Sequence, residues 1–454
     1  MNEENKIQEL ITSSVAELLT CINNEIGQMS FSEIVEMTTQ TVKKLGAMLI
    51  EEVVSSLDTK FYELRDKHSI QMRNNKRRTM LTQLGEVTLQ RRLYYDKIQE
   101  RYFFAVDELL NIERRSRVEA GLKQELITNA TLMSYGKASE LCGGKVSRQT
   151  VHNIVKQVPE EKLKIKEQGL RTVDNIYIEA DEDHIHLNTG KSAEVKLVYV
   201  HEGMREVCKG RRKLVNPRYF ASISTKEEDI WNEVSRYVYE QYKTSKAQIH
   251  ISGDGAQWIK NGVNYFIGAK YHLDKFHVYK SVTDVIGNNK ALRRAVLDAI
   301  QIKDFEKVRD LYSLRYQEAK RIGERKNIAN GFFYLDNNFD EIDLSKNNCC
   351  AAEGHVSHVL SARLSSRPMG WSRTGAEKIA KLRAYYFSGG DFSNLITRND
   401  LISHKNSIKI DDNVHIAKKI NKAKNIGLMP GRVVGLDGIT DGISVILRSL
   451  VRCS

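Results

Sequence analysis

The sequence predicts an α/β protein of several parts: a mainly helical N-terminal region with a small β segment, then a helix-turn-helix, then a larger α/β domain interrupted by a helical insertion. Three observations carry this. Apolar residues recur at helical spacing over the first sixty or so positions, the period then shortens to strand alternation, and from residue 173 short β runs alternate with amphipathic helices. With 454 residues and a soft prior of roughly 100–200 residues per domain, two to four domains are expected. The boundaries fall at residues 1–115, 116–168 and 169–454, with the insertion at about 281–345.

In residues 5–66, Ile7, Leu10, Ile11, Val15, Leu18, Leu19 and Ile22 lie on one helical face, and Ser30 with Glu33 reads as a capping box opening a second helix. These helices are the expected contact between copies. A basic stretch (Arg73, Lys76, Arg77, Arg78) follows, and Val87 and Leu89 with aromatic Tyr94, Tyr95, Tyr102, Phe103 and Phe104 signal short strands. Residues 118–157 return to helical period. The break at Gly143 and Gly144 and the N-cap signal of Ser147 set up a helix whose Val151, Ile154 and Val155 face inward. Arg148, Gln149, His152, Asn153 and Lys156 then form an outward face of the size and chemistry that enters a major groove, although an ordinary helical hairpin has the same pattern.

Strands are expected at 176–181, 185–187, 195–200, 219–223 and 249–253, with a helix through Trp231 and Tyr239 before the last. Early strands, a helix and a further strand follow the order of a ribonuclease H-like fold; periodicity alone does not separate it from other α/β sheets. Residues 281–345 are charged and helical, and the chain after Glu353 is helical and basic to about residue 387.

Hydrophobic residues make up 41% and charged residues 28%, so the chain can bury real cores. The formal net charge is +12, from 70 Lys and Arg against 58 Asp and Glu, which favours a polyanionic partner, above all nucleic acid. The six cysteines (Cys21, Cys142, Cys208, Cys349, Cys350, Cys453) contain no CxxC pair, so neither a disulfide framework nor structural zinc is indicated; a reducing cytoplasmic setting is expected. The acidic N-terminus and the lack of any run of about 18 apolar residues argue against secretion and membrane spanning.

Three sequence-distant carboxylates stand out. Asp254 sits in Gly253-Asp254-Gly255 after the apolar run 249–251, a strand-to-helix junction at the carboxyl edge of a sheet, where ligand sites favour side chains. Glu353 opens a helix with an apolar stripe of Val356, Val359, Leu360 and Leu364. The first acid lies among Glu179, Asp181 and Asp183, which share one face of a strand, and periodicity does not choose among them. About three acids on rigid elements suffice to hold two magnesium ions for phosphodiester chemistry. Asp274 and His277 share the short run 273–277, and His277 reads as a supporting group or proton donor. Arg363, Arg367 and Arg373, with Trp371 among them, suit phosphate contact.

At these residues the chain resembles bacterial insertion-sequence transposases of the Mutator-like superfamily, in the ISLre-type branch. The likeness rests on Gly85-Glu-Val-Thr-Leu with Arg91-Arg-Leu-Tyr-Tyr, on 177–184 and 253–259, on 273–277, and on Glu353-Gly-His-Val-Ser-His with Arg367-Pro-Met-Gly-Trp-Ser. The resemblance implies a DDE triad on a ribonuclease H-like fold, with Asp181, Asp254 and Glu353 as catalytic residues and ligands of Mg²⁺ or Mn²⁺. Asp274 and His277 then match the superfamily's C/DxxH motif. It further implies terminal inverted repeats and target DNA as partners, bound by a homodimer or higher oligomer through residues that include Arg148, Gln149, Asn153 and Lys156. The alternative expectation is a non-catalytic DNA-binding regulator or domesticated copy on the same scaffold.

Overall fold

The computed structural model describes residues 3–24, 29–165, 169–344 and 350–395; Cys349, Cys453 and the chain beyond residue 395 lie outside the described residues. Contacts divide the described residues into two compact units, the first running to residue 158 and taking in 392–395, the second made of residues within 159–391.

The first unit opens with helices α1 (Glu3–Asn24) and α2 (Phe31–Leu64). The expected capping box starts α2: the Ser30 amide donates to Glu33 Oε2 at 2.7 Å and the Glu33 amide donates to Ser30 Oγ at 3.3 Å. Strands β1 (Ile70–Thr82), β2 (Gly85–Asp96) and β3 (Arg101–Phe104) form an antiparallel sheet in that order, which leaves β1 at an edge. Its Met80, Val87 and Leu89 bury against Ala47 and Val54 of α2 and against Val106 of α3 (Ala105–Leu109). Three helices follow, α4 (Ala120–Leu132), α5 (Tyr135–Leu141) and α6 (Arg148–Gln157), each packed on the other two. Gly143 and Gly144 take φ of +83° and +69° between α5 and α6, a backbone that side-chain-bearing residues rarely adopt.

The second unit holds a mixed sheet of five strands: β4 (Asn175–His186), β5 (Ser192–His201), β8 (Arg218–Ser222), β9 (Gln248–Gly253) and β10 (Lys270–Leu273). A two-stranded hairpin, β6 (Met204–Cys208) with β7 (Arg211–Leu214), precedes β8. The spatial order is β10-β9-β4-β5-β8, with β5 antiparallel to its neighbours and β4, β9 and β10 mutually parallel. One face of β4 (Ile176, Ile178, Ala180) buries against Ile230, Trp231, Val234 and Val238 of α7 (Glu227–Gln241), the helix between β8 and β9. After α8 (Gln257–Lys260) and β10, the helices α9 (Lys275–Ile286), α10 (Lys290–Gln301), α11 (Phe305–Glu318) and α12 (Ile322–Asp336) form their own core around Val282, Val296, Val308 and Leu335. The chain ends its described course with α13 (Ala352–Val356), a π turn at Ser357–Ser361, α14 (Ala362–Leu364) and α15 (Arg373–Phe387).

A mixed α/β architecture was expected and is observed. The two short strands expected at 176–181 and 185–187 are one continuous strand, because the polar residues between them still pair with β5: Glu182 with Lys196, Asp183 with Val195 and His184 with Glu194. The β6–β7 hairpin and β10 were not anticipated; both are short and carry the charged or polar side chains that mask strand periodicity.

Candidate active site

Register brings three aspartates into one row. Glu179 of β4 lies opposite Ser252 of β9, and Leu273 of β10 lies opposite Gly253. Continuing these parallel registers by two residues and by one sets Asp181, Asp254 and Asp274 side by side, their side chains on the same sheet face. That face is opposite the α7 side, because β4 alternates Ile178 and Ala180 inward with Glu179 and Asp181 outward.

The glycines around Asp254 are required by close packing. A Cβ on Gly253 would meet Ile259 at 2.8 Å and the Ala180 carbonyl at 2.9 Å, and Gly255 has φ of +101° with Asn338 Oδ1 at 2.6 Å from where its Cβ would be. The turn is held from outside as well. The Asp254 carbonyl accepts from the Tyr334 hydroxyl at 2.8 Å, and the Gly253 carbonyl accepts from the Tyr271 hydroxyl at 3.1 Å and from the Asp274 amide at 2.8 Å.

Each of the first two aspartates uses one oxygen locally and keeps one open. Asp181 Oδ1 accepts from the Glu182 amide at 2.8 Å and Asp254 Oδ1 from the Ala256 amide at 2.9 Å, while no described residue donates to either Oδ2. Burial, with the nearby Asp254 charge adding to it against the Glu182 amide and His277, pushes the Asp181 carboxyl up to about 6. Two neighbouring carboxylates, each with an open oxygen, form an all-oxygen donor set that fits a hard divalent cation such as Mg²⁺. Asp274 is 5% exposed; it caps α9 by accepting from the Phe276 amide at 3.0 Å, and its Oδ2 lies 3.8 Å from His277 Nε2. Burial raises its carboxyl, with His277 opposing.

Glu179 and Asp183, the other two candidates for the first acid, have different surroundings. Glu179 is 4% exposed and accepts from the Tyr199 hydroxyl, from His201 Nε2 at 3.1 Å and from the Ala351 amide at 2.8 Å. Burial works to raise its carboxyl, but His201, Tyr199 and the Ala351 amide together outweigh it and hold the group below its ordinary range. Asp183 accepts from the Ser365 hydroxyl at 2.9 Å and is raised by burial. Asp181 is thus the one of the three whose carboxylate is left open on the row with Asp254.

Glu353 stands apart. Its helix α13 packs on β4 and begins one residue after the Ala351 anchor to Glu179, yet the Glu353 side chain is exposed and makes no hydrogen bond or ion pair among the described residues. Sequence reasoning missed a second group: Glu182, His184 and Glu194 bring one ligand atom each within 4.8 Å of one another, on the opposite face of β4 from Asp181, where Glu182 also accepts from Trp258 Nε1 at 2.6 Å. Only the β4–β5 register, with His184 opposite Glu194, reveals it. A groove of about 540 Å³ between α9 and α12 adjoins Asp254 through Tyr334 and is lined also by His277, Lys280, Asp284, Asn327 and Asn330.

The side chains expected to touch DNA divide in two. On α6, Arg148, Gln149, Asn153 and Lys156 are exposed while Val151, Ile154 and Val155 are buried, as the pattern predicts. Arg367 is exposed, and Arg373 is exposed but donates to the Ile223 carbonyl. Arg363 is 4% exposed with its guanidinium stacked 4.8 Å from the Trp371 ring centre, so its charge is turned into packing in this conformation rather than toward a phosphate. Lys378 and Lys381, from the same stretch, pair with Glu160 at 3.1 and 2.7 Å.

Residues 25–398 match the model of a family described as an uncharacterised protein family, UPF0236. A UPF0236 protein of Caldanaerobacter subterraneus subsp. tengcongensis is 38% identical over 350 residues, 75% of this chain and 74% of the relative, and its name joins eleven locus designations. Another from the same organism is 37% identical over 350 residues, with 75% and 74% covered, and its name joins four. A UPF0236 protein in the vanSb 3′ region of Streptococcus gallolyticus is 29% identical over 236 residues, 49% of this chain and 51% of the relative.

Proposed function

The chain belongs to the UPF0236 family, and we propose that it is a DDE transposase of the ISLre-type, Mutator-like kind, acting on the ends of its own insertion sequence. The observation that carries the reading is the carboxylate row: Asp181 on β4 and Asp254 just past the end of the adjacent parallel β9, each with one open oxygen, backed by buried Asp274 and half-buried His277. The strand order supports a ribonuclease H-like assignment: three antiparallel strands, a helix, then a strand returning parallel to the first on its other side. The helices α9 to α12 then correspond to an insertion ahead of Glu353. The trio α4 to α6, with its exposed polar face, supports a helix-turn-helix. Relatives whose names join eleven and four locus designations fit a gene that copies itself within a genome.

In this reading Asp181, Asp254 and Glu353 hold Mg²⁺ or Mn²⁺, which when bound supplies an activated attacking oxygen and stabilises the leaving one. On this proposal the scissile phosphate lies against the row of aspartates. Asp274 and His277 hold the end of β10 and the start of α9 beside it, and cations on α6 and Arg367 position the DNA backbone. A homodimer or higher oligomer pairs the two ends.

The test is strand-break mapping on labelled DNA carrying the gene's flanks with Mg²⁺, for wild type and Asp254→Ala. Breaks at the element boundary with wild type alone, and equal DNA binding by both, are expected, since the lost ligand stabilises the transition state rather than the complex. Equal loss of binding, or breaks that persist in the variant, would refute the assignment. A second reading, a non-catalytic DNA-binding regulator, is favoured by the exposed, unengaged side chain of Glu353. Glu353→Gln separates the two: it abolishes breakage if Glu353 closes the triad, whereas a regulator breaks no strand in any form.

A further inference from the structure

The cations of the first unit's sheet fall into two sets. Arg78 and Arg91 share Asp107 and Arg92 pairs with Asp58 at 2.9 Å, all partly or wholly buried, and the exposed Arg101 pairs with Glu108; these four are neutralised. Arg73, Lys76 and Arg77 lie in a run of five exposed residues of β1 whose other members, Asn74 and Asn75, are also polar, and β1 is an edge strand. Beside its far end the chain returns: the Leu81 amide donates to the Arg117 carbonyl at 2.8 Å, and Arg78 donates to the carbonyls of Glu113 and Ser116. That return carries Arg114, Arg115 and Arg117, all exposed. None of these six cations has an ion-pair partner among the described residues. Arg115 has φ of +61°, a backbone that costs a side-chain-bearing residue on the order of 1–2 kcal/mol, yet the loop is pinned in it by Arg78.

A lysine on an edge strand commonly serves only to block strand-to-strand association, and one charge suffices for that. Six cations of one sign, left without an ion-pair partner among the described residues while four neighbours are paired, exceed it. We infer that the exposed edge of β1 and the 113–117 loop form a phosphate-gripping surface for duplex DNA, made by residues other than those of α6. Cations that contact phosphates read the backbone and not the bases, so this surface adds affinity without sequence preference.

The inference rests on the chain being a DNA-binding protein, and not on its catalysis. The experiment is fluorescence anisotropy of the full chain with labelled duplexes, without divalent metal, across a salt series. Wild type is compared with R73Q/K76Q/R77Q, with R114Q/R115Q/R117Q and with R73K/R77K. Each glutamine triple should reduce the slope of log affinity against log salt by about 3, equally on element-end and unrelated duplexes, while the lysine variant keeps the wild-type slope. Thermal melts of each variant establish that the fold is retained; a slope lost together with the fold counts for nothing until single glutamine variants that melt like wild type show a reduction of about 0.9 each. An unchanged slope in well-folded triples overturns this surface while leaving DNA binding by α6 intact. Absence of any duplex binding by wild type overturns both this surface and the proposed function.

Discussion

Three acidic side chains at alternate positions of β4 have three different fates, and two of them predict opposite effects on stability. Asp181 is raised to about 6 from an ordinary 3.8, so between those values the folded chain holds a proton that the unfolded chain has lost. Stability therefore falls as pH rises through this window, by at most about 3 kcal/mol at neutral pH and less where water screens the group. Asp181→Asn should melt higher than wild type at pH 7, with the difference vanishing below about pH 4, and Mg²⁺ should raise the melting temperature of wild type more than that of the variant. Glu179 is lowered from 4.5, so its contribution is present above that value and is lost as pH falls through the folded one. Glu179→Gln puts an amide before the Tyr199 and Ala351 donors and should cost about 2–4 kcal/mol at pH 7, read by chemical denaturation. A Glu179→Gln chain as stable as wild type would show that the buried carboxylate is not holding the 350–353 segment. Periodicity could tell that the three acids share a face. It could not tell which is open, because that is decided by Tyr199, His201, Ala351 and Ser365, up to 182 residues away.

At the scale of elements, legibility followed length and polarity. The helix α1, the capped helices α2 and α6 and the apolar strands β5, β8 and β9 were readable because their own side chains state their period. The four-residue strand β10, Lys-Tyr-His-Leu, was not, and it matters most, since its pairing with β9 is what sets Asp274 beside Asp254. The turn after β9 was legible as Gly-Asp-Gly, but not the reason for its second glycine. Gly255 is hemmed by Asn338, whose buried Oδ1 has no donor among the described residues and whose Nδ2 donates to the Tyr334 carbonyl at 2.6 Å; Tyr334 in turn holds the Asp254 carbonyl. Gly255→Ala should therefore act twice, by strain at φ of +101° and by displacing Asn338. The expected loss is roughly 2–3 kcal/mol in denaturant titration, together with impaired strand breakage. Gly255→Ala/Asn338→Ala should recover the part due to crowding and leave the part due to φ; full recovery would show that the backbone angle carries no cost.

At the scale of the molecule, the division into two units predicts that recognition and chemistry can be lost separately. The polar face of α6 belongs to the first unit and the carboxylate row to the second. A base-edge contact by an arginine or asparagine discriminates by about 1–3 kcal/mol, whereas phosphate contacts discriminate hardly at all. Arg148→Ala/Asn153→Ala should accordingly reduce the preference for element ends over unrelated duplex by roughly tenfold or more, while metal-dependent breaks continue at scattered positions. Asp254→Ala should do the reverse, keeping the full preference and making no breaks. The comparison is informative because phosphate contacts by a chain of charge +12 add affinity for any duplex alike, so bare binding does not distinguish the units; the ratio between two DNAs and the map of breaks do. If the α6 variant lost preference and breakage together, end recognition would have to be a precondition for assembling the carboxylate site, and the two units would act as one device.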